Sequence, residues 1–387
     1  MHNGTVDPAF GSVAAKFGSL FTKPSDGGGA LAIQRHGQPV VDIWAGWADP
    51  HGTQPWQRDT MAMSFSTTKG VASTVVHRLV EQGILGYDET LAHWWPEFAE
   101  NGKARITVRH LLSHRTGLYA ARGIAEDVRE LLDWRDMADR LARSHPRLPV
   151  GGPPAYHGIT YGWLVAGLVE RATGRDFTDV LREEVVEPLD LDGCFIGLPD
   201  DEHGRVAQLF PGVLPLGMTV AGFARRMEKR RATQRFVDAL CVDNFDNLCM
   251  SRAILRTVMP AVNGVFTARS LARIYGAMAN GGAAEGRRLL KEDTVADLGR
   301  IQTRERDRVL FLNMRWRLGY HQAFTLRNRV MKGFGHFGYG GSGAWADPET
   351  GLSVAFVTNR LGNATTPVGD ARLVRLGDMA VKAARRT

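Results

Sequence analysis

Hydrophobic side chains recur along the chain at two different spacings, which separate helices from strands. Near the N-terminus, four apolar residues stand three to four positions apart: Phe10, Val13, Phe17 and Phe21. This interval places all four on one face of a helix, so the pattern predicts a first helix over residues 8–22.

Two pairs of apolar runs are each joined by a short turn, which is the pattern of a β-hairpin. The first pair covers Ala30–Arg35 and Pro39–Trp47 and is joined by a His-Gly-Gln turn. The second pair covers Gly343–Asp347 and Leu352–Asn359, with a turn that contains proline and glycine. We therefore predict one hairpin near each end of the chain.

The remaining pattern is mostly helical, including a last helix over residues 369–382. Strands at both ends around a helical middle predict an α+β fold, in which both termini contribute to one antiparallel sheet. We expect a single domain with two lobes. Residues 1–65 and 262–387 would form the α/β lobe and residues 66–261 the helical lobe, with the site in the cleft between them.

Ser66 and Lys69 open a helical pattern and form the one S-x-x-K sequence in the chain. The apolar residues that follow keep the helical spacing: Val71, Val75, Val76, Leu79 and Val80. A serine and a lysine three residues apart share one face of the first turn. Burial and the positive end of the helix dipole both favour a neutral lysine, which can take the serine proton. The alternative is structural, with Ser66 as a helix cap and Lys69 as a surface charge.

Two further segments carry candidate chemistry. Tyr156 follows a loop rich in proline and glycine and precedes a helical run, so it can face a cleft and hold a phenolate or relay protons. Its alternative is a core aromatic. Residues 333–343 contain many glycines before a strand, where a substrate can lie against the backbone. No helix follows, which argues against a dinucleotide site. Trp345, just beyond, is a candidate for the cleft lining.

Together these segments resemble the serine β-lactamase superfamily, and within it the class C-like esterase branch called family VIII carboxylesterases. The resemblance covers nearly the whole chain, and its landmarks occur in order: the first hairpin, Ser66–Lys69, residues 106–118, Tyr156, residues 268–282 and His336-Phe337-Gly338. It implies the fold of β-lactamases and penicillin-binding proteins, an antiparallel sheet flanked by helices beside a mostly helical lobe.

The resemblance also implies roles for individual residues. Ser66 would be the nucleophile, Lys69 its general base, and Tyr156 the residue that assists proton transfer to and from the leaving group. The backbone N–H groups of Ser66 and Tyr339 would form the oxyanion hole. The substrate-binding positions would include His336 and Gly338, with His336 in place of the family's K-T-G lysine.

Two departures from the family pattern bear on the substrate. Gly158 replaces the asparagine of the Y-x-N element, and His336-Phe337-Gly338 replaces K-T-G. The family uses that asparagine and lysine to hold an amide and a carboxylate. We therefore expect hydrolysis of short- to medium-chain carboxylic esters. A weak β-lactamase, an acyltransferase of the same fold and a catalytically inactive binding relative remain alternatives.

The net charge of +7 comes mainly from arginine, and the densest run lies at residues 225–231. Without interleaved aromatic residues, this run is more typical of a solvated face than of a nucleic-acid site. His110 and His114 are four residues apart, but neither a glutamate after the first nor a third ligand accompanies them, so we predict no metal. The three cysteines do not form a disulfide framework.

The remaining expectations concern partners and location. The sequence predicts no cofactor and a small-molecule ester as the substrate, with no nucleic-acid or membrane partner. No long apolar run and no secretory signal are evident, so we expect a cytoplasmic protein. A monomer or a small homo-oligomer is expected.

Overall fold

Strands and helices are described for residues 2–209, 233–362 and 370–386 in the computed structural model. The strands are β1 Asn3–Val6, β2 Gly28–Arg35, β3 Gln38–Gly46, β4 Ala62–Met63, β5 Cys194–Phe195, β6 Val265–Phe266, β7 Ala283–Ala284, β8 Arg287–Arg288, β9 His321–Gln322, β10 Phe334–Phe337, β11 Gly343–Asp347 and β12 Leu352–Thr358. The α-helices are α1 Gly11–Gly18, α2 Thr67–Glu81, α3 Leu91–Trp94, α4 Val108–Leu112, α5 Trp134–Arg143, α6 Thr160–Thr173, α7 Phe177–Leu181, α8 Glu187–Leu189, α9 Gln234–Leu240, α10 Phe245–Cys249, α11 Ala253–Arg256, α12 Ala268–Ala279, α13 Glu292–Leu298 and α14 Ala371–Ala384.

The main sheet joins the two ends of the chain. Within the described residues it has seven antiparallel strands in the order β1-β3-β2-β12-β11-β10-β9. Both predicted hairpins are present, as β2–β3 and β11–β12. They meet where β2 pairs with β12, which sets Ile33 opposite Val354 and Leu31 opposite Phe356. The predicted α+β architecture with a sheet from both termini is therefore confirmed.

The two faces of the sheet carry side chains of different size, because successive residues of a strand point to opposite faces. One face carries large side chains and packs with α1 and α14 through residues such as Leu31, Ile33, Trp345 and Phe356. The other face is rich in alanine and packs with α12. Trp345 is fully buried in the first of these cores, so the suggestion that it lines the cleft is wrong.

The first helix is shorter than predicted. A 3-10 turn at Pro8–Phe10 comes first, and the N–H of Ala9 in this turn donates to the Asp7 side chain. The helix α1 follows and ends at Gly18. Phe21 lies beyond the helix but is still buried, and its ring meets Phe17 edge-on at 5.3 Å. The apolar spacing therefore identified the buried face correctly but overestimated the length of the helix.

The last helix, α14, begins after Asp370, whose carboxylate accepts the N–H of Arg372. The predicted start at Gly369 and the arginine run at 225–231 lie outside the described residues. No described helix is both long and apolar enough to cross a bilayer. The division into two lobes stays a prediction.

Candidate active site

Ser66 occupies the N-cap position of α2, at the end of a sharp turn. The N–H of Ser64 donates to Gly264 O at 2.8 Å, which ties this turn to the chain just before β6. Phe65 has a left-handed φ of 46°, a conformation that costs a bulky residue about 1 to 3 kcal/mol. The side chain of Ser66 makes no capping bond, so its Oγ is available for other partners. The predicted position at the start of a helix is confirmed.

Lys69 is fully buried one turn further along α2. Its Nζ lies 3.1 Å from Ser66 Oγ, 2.7 Å from Gly158 O and 2.9 Å from Ala261 O. Loss of solvent on burial holds the pKa of Lys69 well below its usual value of 10.5. A neutral amine has two N–H donors and one lone pair. The two carbonyls accept both donors, which leaves the lone pair for the hydroxyl of Ser66.

Tyr156 is the second side chain that contacts Ser66 Oγ. Its O–H donates to Ser66 Oγ at 2.7 Å, and the residue is only 6% exposed. Burial raises the pKa of Tyr156 above its usual value, and the charge of Asp307 acts in the same direction. The phenol form is therefore favoured, and of the two roles predicted for Tyr156 the phenolate is the less favoured one.

Aromatic rings enclose Tyr156. Trp316 stacks on it with ring centroids 5.5 Å apart and an angle of 5° between the planes. His114 meets the same ring edge-on at 5.1 Å and meets Trp316 at 4.2 Å. The sequence alone connects His114 with His110 and with the segment 106–118, and not with Tyr156. Among the described residues, no group of three or more His, Cys, Asp or Glu side chains is arranged to hold a metal.

The segment that carries Tyr156 is fixed by hydrogen bonds of its neighbour His157. Its ring Nδ1 donates to Ala155 O at 2.7 Å, because a carbonyl can only accept. The ring Nε2 is then an acceptor, and Thr116 Oγ donates to it at 2.5 Å. The backbone N–H of His157 donates to His114 Nδ1 at 3.2 Å. These bonds hold the next residue, Gly158, so that its carbonyl faces Lys69.

Gly158 has a steric reason to be a glycine. A Cβ built at this position would lie 2.2 Å from Leu240 Cδ2 and 2.9 Å from Ala239 O, both in α9. An asparagine would need α9 to move away. The departure from the Y-x-N pattern therefore reflects how closely α9 packs against the site.

His336 lies in β10 beside the Tyr156 ring, at a centroid distance of 6.3 Å. The side chain is almost completely buried, and burial lowers its pKa well below the usual value. Its Nδ1 donates to Phe337 O at 3.2 Å, so the proton is on Nδ1. Among the described residues nothing binds its buried Nε2. His336 is therefore a neutral acceptor at the position that the resemblance assigns to the family's lysine.

Gly338 lets the end of β10 lie against the serine turn. A Cβ there would lie only 2.1 Å from Ser64 O. The next residue, Tyr339, is 38% exposed, and its ring meets Phe65 edge-on at 5.5 Å. Within the described residues, the N–H groups of Ser66 and Tyr339 have no hydrogen-bond acceptor. Both are thus available to a substrate oxygen.

The turn after Tyr339 is held from outside by α14. Arg372 Nη2 donates to Gly340 O at 3.0 Å and to Arg360 O at 2.7 Å. Its Nε donates to Asp370 Oδ2 at 2.7 Å, which fixes the guanidinium. Gly362 N–H also donates to Gly340 O at 3.0 Å. Sequence reasoning did not identify this support.

Comparison with known proteins identifies the family. The sequence profile described as beta-lactamase matches residues 17–379. The chain belongs to the beta-lactamase family. The fold predicted from the sequence, that of β-lactamases and penicillin-binding proteins, is confirmed, and so is the likeness to family VIII carboxylesterases.

Three relatives cover most of the chain. The protein named esterase/beta-lactamase LipL, from Mycobacterium tuberculosis, is 43% identical over 92% of this chain and 83% of its own. A solved family VIII carboxylesterase is 30% identical, with a TM-score of 0.87 over 100% of this chain and 99% of its own. A penicillin-binding protein homolog from Caulobacter crescentus is 35% identical, with a TM-score of 0.86 over 99% of this chain and 100% of its own.

Proposed function

We propose that this serine hydrolase of carboxylic esters works through a covalent acyl-enzyme on Ser66. The observation that carries the proposal is the environment of Lys69. Two backbone carbonyls accept its N–H groups, burial favours its neutral form, and its Nζ lies 3.1 Å from Ser66 Oγ. A lysine held in this way is a base for the serine hydroxyl.

Acylation begins when Lys69 takes the hydroxyl proton and Ser66 Oγ bonds to the ester carbonyl carbon. The negative charge that develops on the carbonyl oxygen is stabilised by the N–H groups of Ser66 and Tyr339. The bond to the alcohol oxygen then breaks, and Tyr156 gives that oxygen its proton. Lys69, with its Nζ 4.9 Å from the centre of the Tyr156 ring, returns a proton to the phenolate. Water then attacks the carbonyl carbon of the acyl-enzyme, its proton follows the same path in reverse, and the acid leaves Ser66 Oγ.

The substrate follows from what the site offers beside Ser66. His336 is neutral, so it gives a substrate carboxylate no charge to bind, and Gly158 has no room for an amide-binding side chain. A β-lactam with its carboxylate and amide is therefore held less well than an uncharged ester. We propose short- to medium-chain carboxylic esters as substrates.

The test is hydrolysis of p-nitrophenyl butyrate by the wild type and by Ser66→Ala, combined with intact mass after a fluorophosphonate probe. We expect hydrolysis and a single mass adduct in the wild type, and neither in a folded Ser66→Ala variant. A wild type with neither hydrolysis nor adduct would leave only a binding role. Faster cleavage of a cephalosporin than of any simple ester would overturn the substrate assignment.

A further inference from the structure

Asp307 is a buried carboxylate that belongs to no ion pair among the described residues. It lies in the loop between α13 and β9 and is 1% exposed. Oδ1 accepts the N–H groups of Tyr156 at 3.2 Å, Val309 at 2.8 Å and Leu310 at 2.9 Å, and Oδ2 accepts Trp316 Nε1–H at 2.9 Å. Burial raises the pKa of Asp307, and the four hydrogen bonds act against this rise. Because every partner is a donor, the ionised form satisfies all four bonds.

Two of these four bonds lead to Tyr156 by different routes. One holds its backbone directly. The other holds Trp316, whose ring lies flat against the Tyr156 ring at 5.5 Å. Asp307 thus fixes both the main chain and the ring plane of Tyr156, whose O–H reaches Ser66 Oγ. The other two bonds close the loop that carries Asp307 itself.

The charge of Asp307 also acts on Tyr156. Loss of a proton from the phenol would place a second negative charge near this carboxylate in a buried environment, where charges interact strongly. The proton of Tyr156 is therefore held more tightly with Asp307 ionised than without it. A phenol that keeps its proton until an alkoxide forms is suited to protonate a leaving group.

We propose that Asp307 is a positioning residue for Tyr156, which keeps its O–H aligned and protonated for delivery to the leaving alcohol. This inference rests on the role proposed above for Tyr156 as proton donor. It assigns to Asp307 a function that depends on the leaving group, which a purely structural residue would not have.

The test compares kcat/KM for two esters of one acid, because this ratio covers the steps through acylation. p-Nitrophenolate leaves without a proton, whereas ethoxide needs one. In Asp307→Asn, one oxygen becomes an NH2 group that cannot accept, and the negative charge is lost. We expect a loss of about a hundredfold with ethyl butyrate and of less than about fivefold with p-nitrophenyl butyrate.

Three companion variants make the result specific. Asp347→Asn changes another buried carboxylate and should change neither rate. Among the residues that the structure describes, the Asp347 carboxylate bonds only to its own turn, through Glu349 and Thr350. Trp316→Phe keeps an aromatic ring on Tyr156 but removes the indole N–H. Its loss of kcat/KM should be smaller than that of Asp307→Asn but again larger with ethyl butyrate than with p-nitrophenyl butyrate. This variant tests the inference if Asp307→Asn does not fold.

The double variant Tyr156→Phe/Asp307→Asn should be no slower than Tyr156→Phe alone, since Asp307 acts through Tyr156. Equal losses with both esters in Asp307→Asn and Trp316→Phe would overturn the inference. Additive losses in the double variant would do the same. If Tyr156→Phe loses the same factor in kcat/KM with both esters, the assignment of Tyr156 as proton donor is wrong. This outcome is distinct from a failure of the role proposed for Asp307.

Discussion

The groups on the two sides of Ser66 differ in kind: side chains on one side and backbone N–H groups on the other. On the side of the proposed base, two buried side chains, Lys69 and Tyr156, contact Oγ directly. On the side of the proposed oxyanion hole, the available groups are the backbone N–H groups of Ser66 and Tyr339. They are positioned by the close approach of Gly338 to Ser64 and by a turn that Arg372 holds.

This difference determines which substitutions are informative. Chemistry that resides in a side chain is removed with that side chain. Chemistry that resides in the backbone survives replacement of the side chain and is lost only when the chain itself moves. On the base side, activity should therefore be most sensitive to substitution of the side chains that react. On the oxyanion side, it should be most sensitive to substitution of the residues that position the backbone N–H groups.

The largest effect is expected on the base side. Lys69→Ala should lower kcat/KM for p-nitrophenyl butyrate by about a thousandfold or more, because Ser66 loses its proton acceptor. Lys69→Arg should be similarly inactive, since a guanidinium keeps donors but remains protonated. Steady-state rates with a circular dichroism check of folding would measure this. Substantial activity in either variant would break the assignment of Lys69 as base.

An intermediate effect is expected where the backbone is displaced. Gly338→Ala brings a Cβ to 2.1 Å from Ser64 O, so the turn must shift, and kcat should fall about a hundredfold. Tyr339→Ala keeps the backbone N–H and should change kcat by less than about threefold. Gly11→Ala, where an added Cβ meets no atom within 4 Å, is the matched control. A larger loss in Tyr339→Ala than in Gly338→Ala would reverse the interpretation.

The smallest effect is expected one step further from the substrate. Arg372→Gln removes the guanidinium bonds to Gly340 O and Arg360 O, and we expect kcat to fall about tenfold with little change in KM. Arg375→Gln changes an exposed arginine one turn further along α14. It makes no hydrogen bond or ion pair within the described residues, so its rates should match the wild type. Equal behaviour of the two variants would show that the turn needs no external support.

Prediction from the sequence succeeded where the signal is local. Alternating and helical spacing located both hairpins and α2, because each pattern is read within a few neighbouring residues. The same local signal overestimated α1, since spacing alone does not show that the chain leaves the helix at Gly18 while Phe21 stays buried. Trp345 was misjudged because the pattern does not say which face of a strand meets the cleft.

The residues around Tyr156 were missed for a different reason. Asp307 and Trp316 lie in irregular chain about 150 residues beyond Tyr156, and no periodicity connects them. The sequence around an aspartate and a tryptophan in such a loop does not indicate that they contact a distant tyrosine. For His114, the sequence offers only its spacing from His110, a metal-ligand spacing without a third ligand, and this says nothing about Tyr156. The S-x-x-K pair and Tyr156 stand out from the residue pattern itself, whereas the roles of His336, Gly338 and Tyr339 come from the family resemblance. All of these catalytic roles stay predictions.

The most direct test of the account is the pH dependence of kcat/KM for p-nitrophenyl butyrate. Burial holds the pKa of His157 at about 3 and that of His321 at about 4, and it lowers those of His114 and His336. These groups are neutral across the range of interest, and Tyr156 keeps its proton. Burial raises the pKa of Asp307, but hydrolysis of p-nitrophenyl butyrate should depend little on that residue. The main ionisation that limits the rate near neutrality is therefore assigned to Lys69.

Because only the neutral amine accepts the proton of Ser66, the rate should rise as Lys69 loses its own. Measured from about pH 5 to 11, the profile should show one rising limb that levels off below the usual lysine pKa of 10.5. A flat profile over this range would contradict a lysine base. A rate that still climbed steeply above about pH 10 would contradict the lowered pKa on which the account depends.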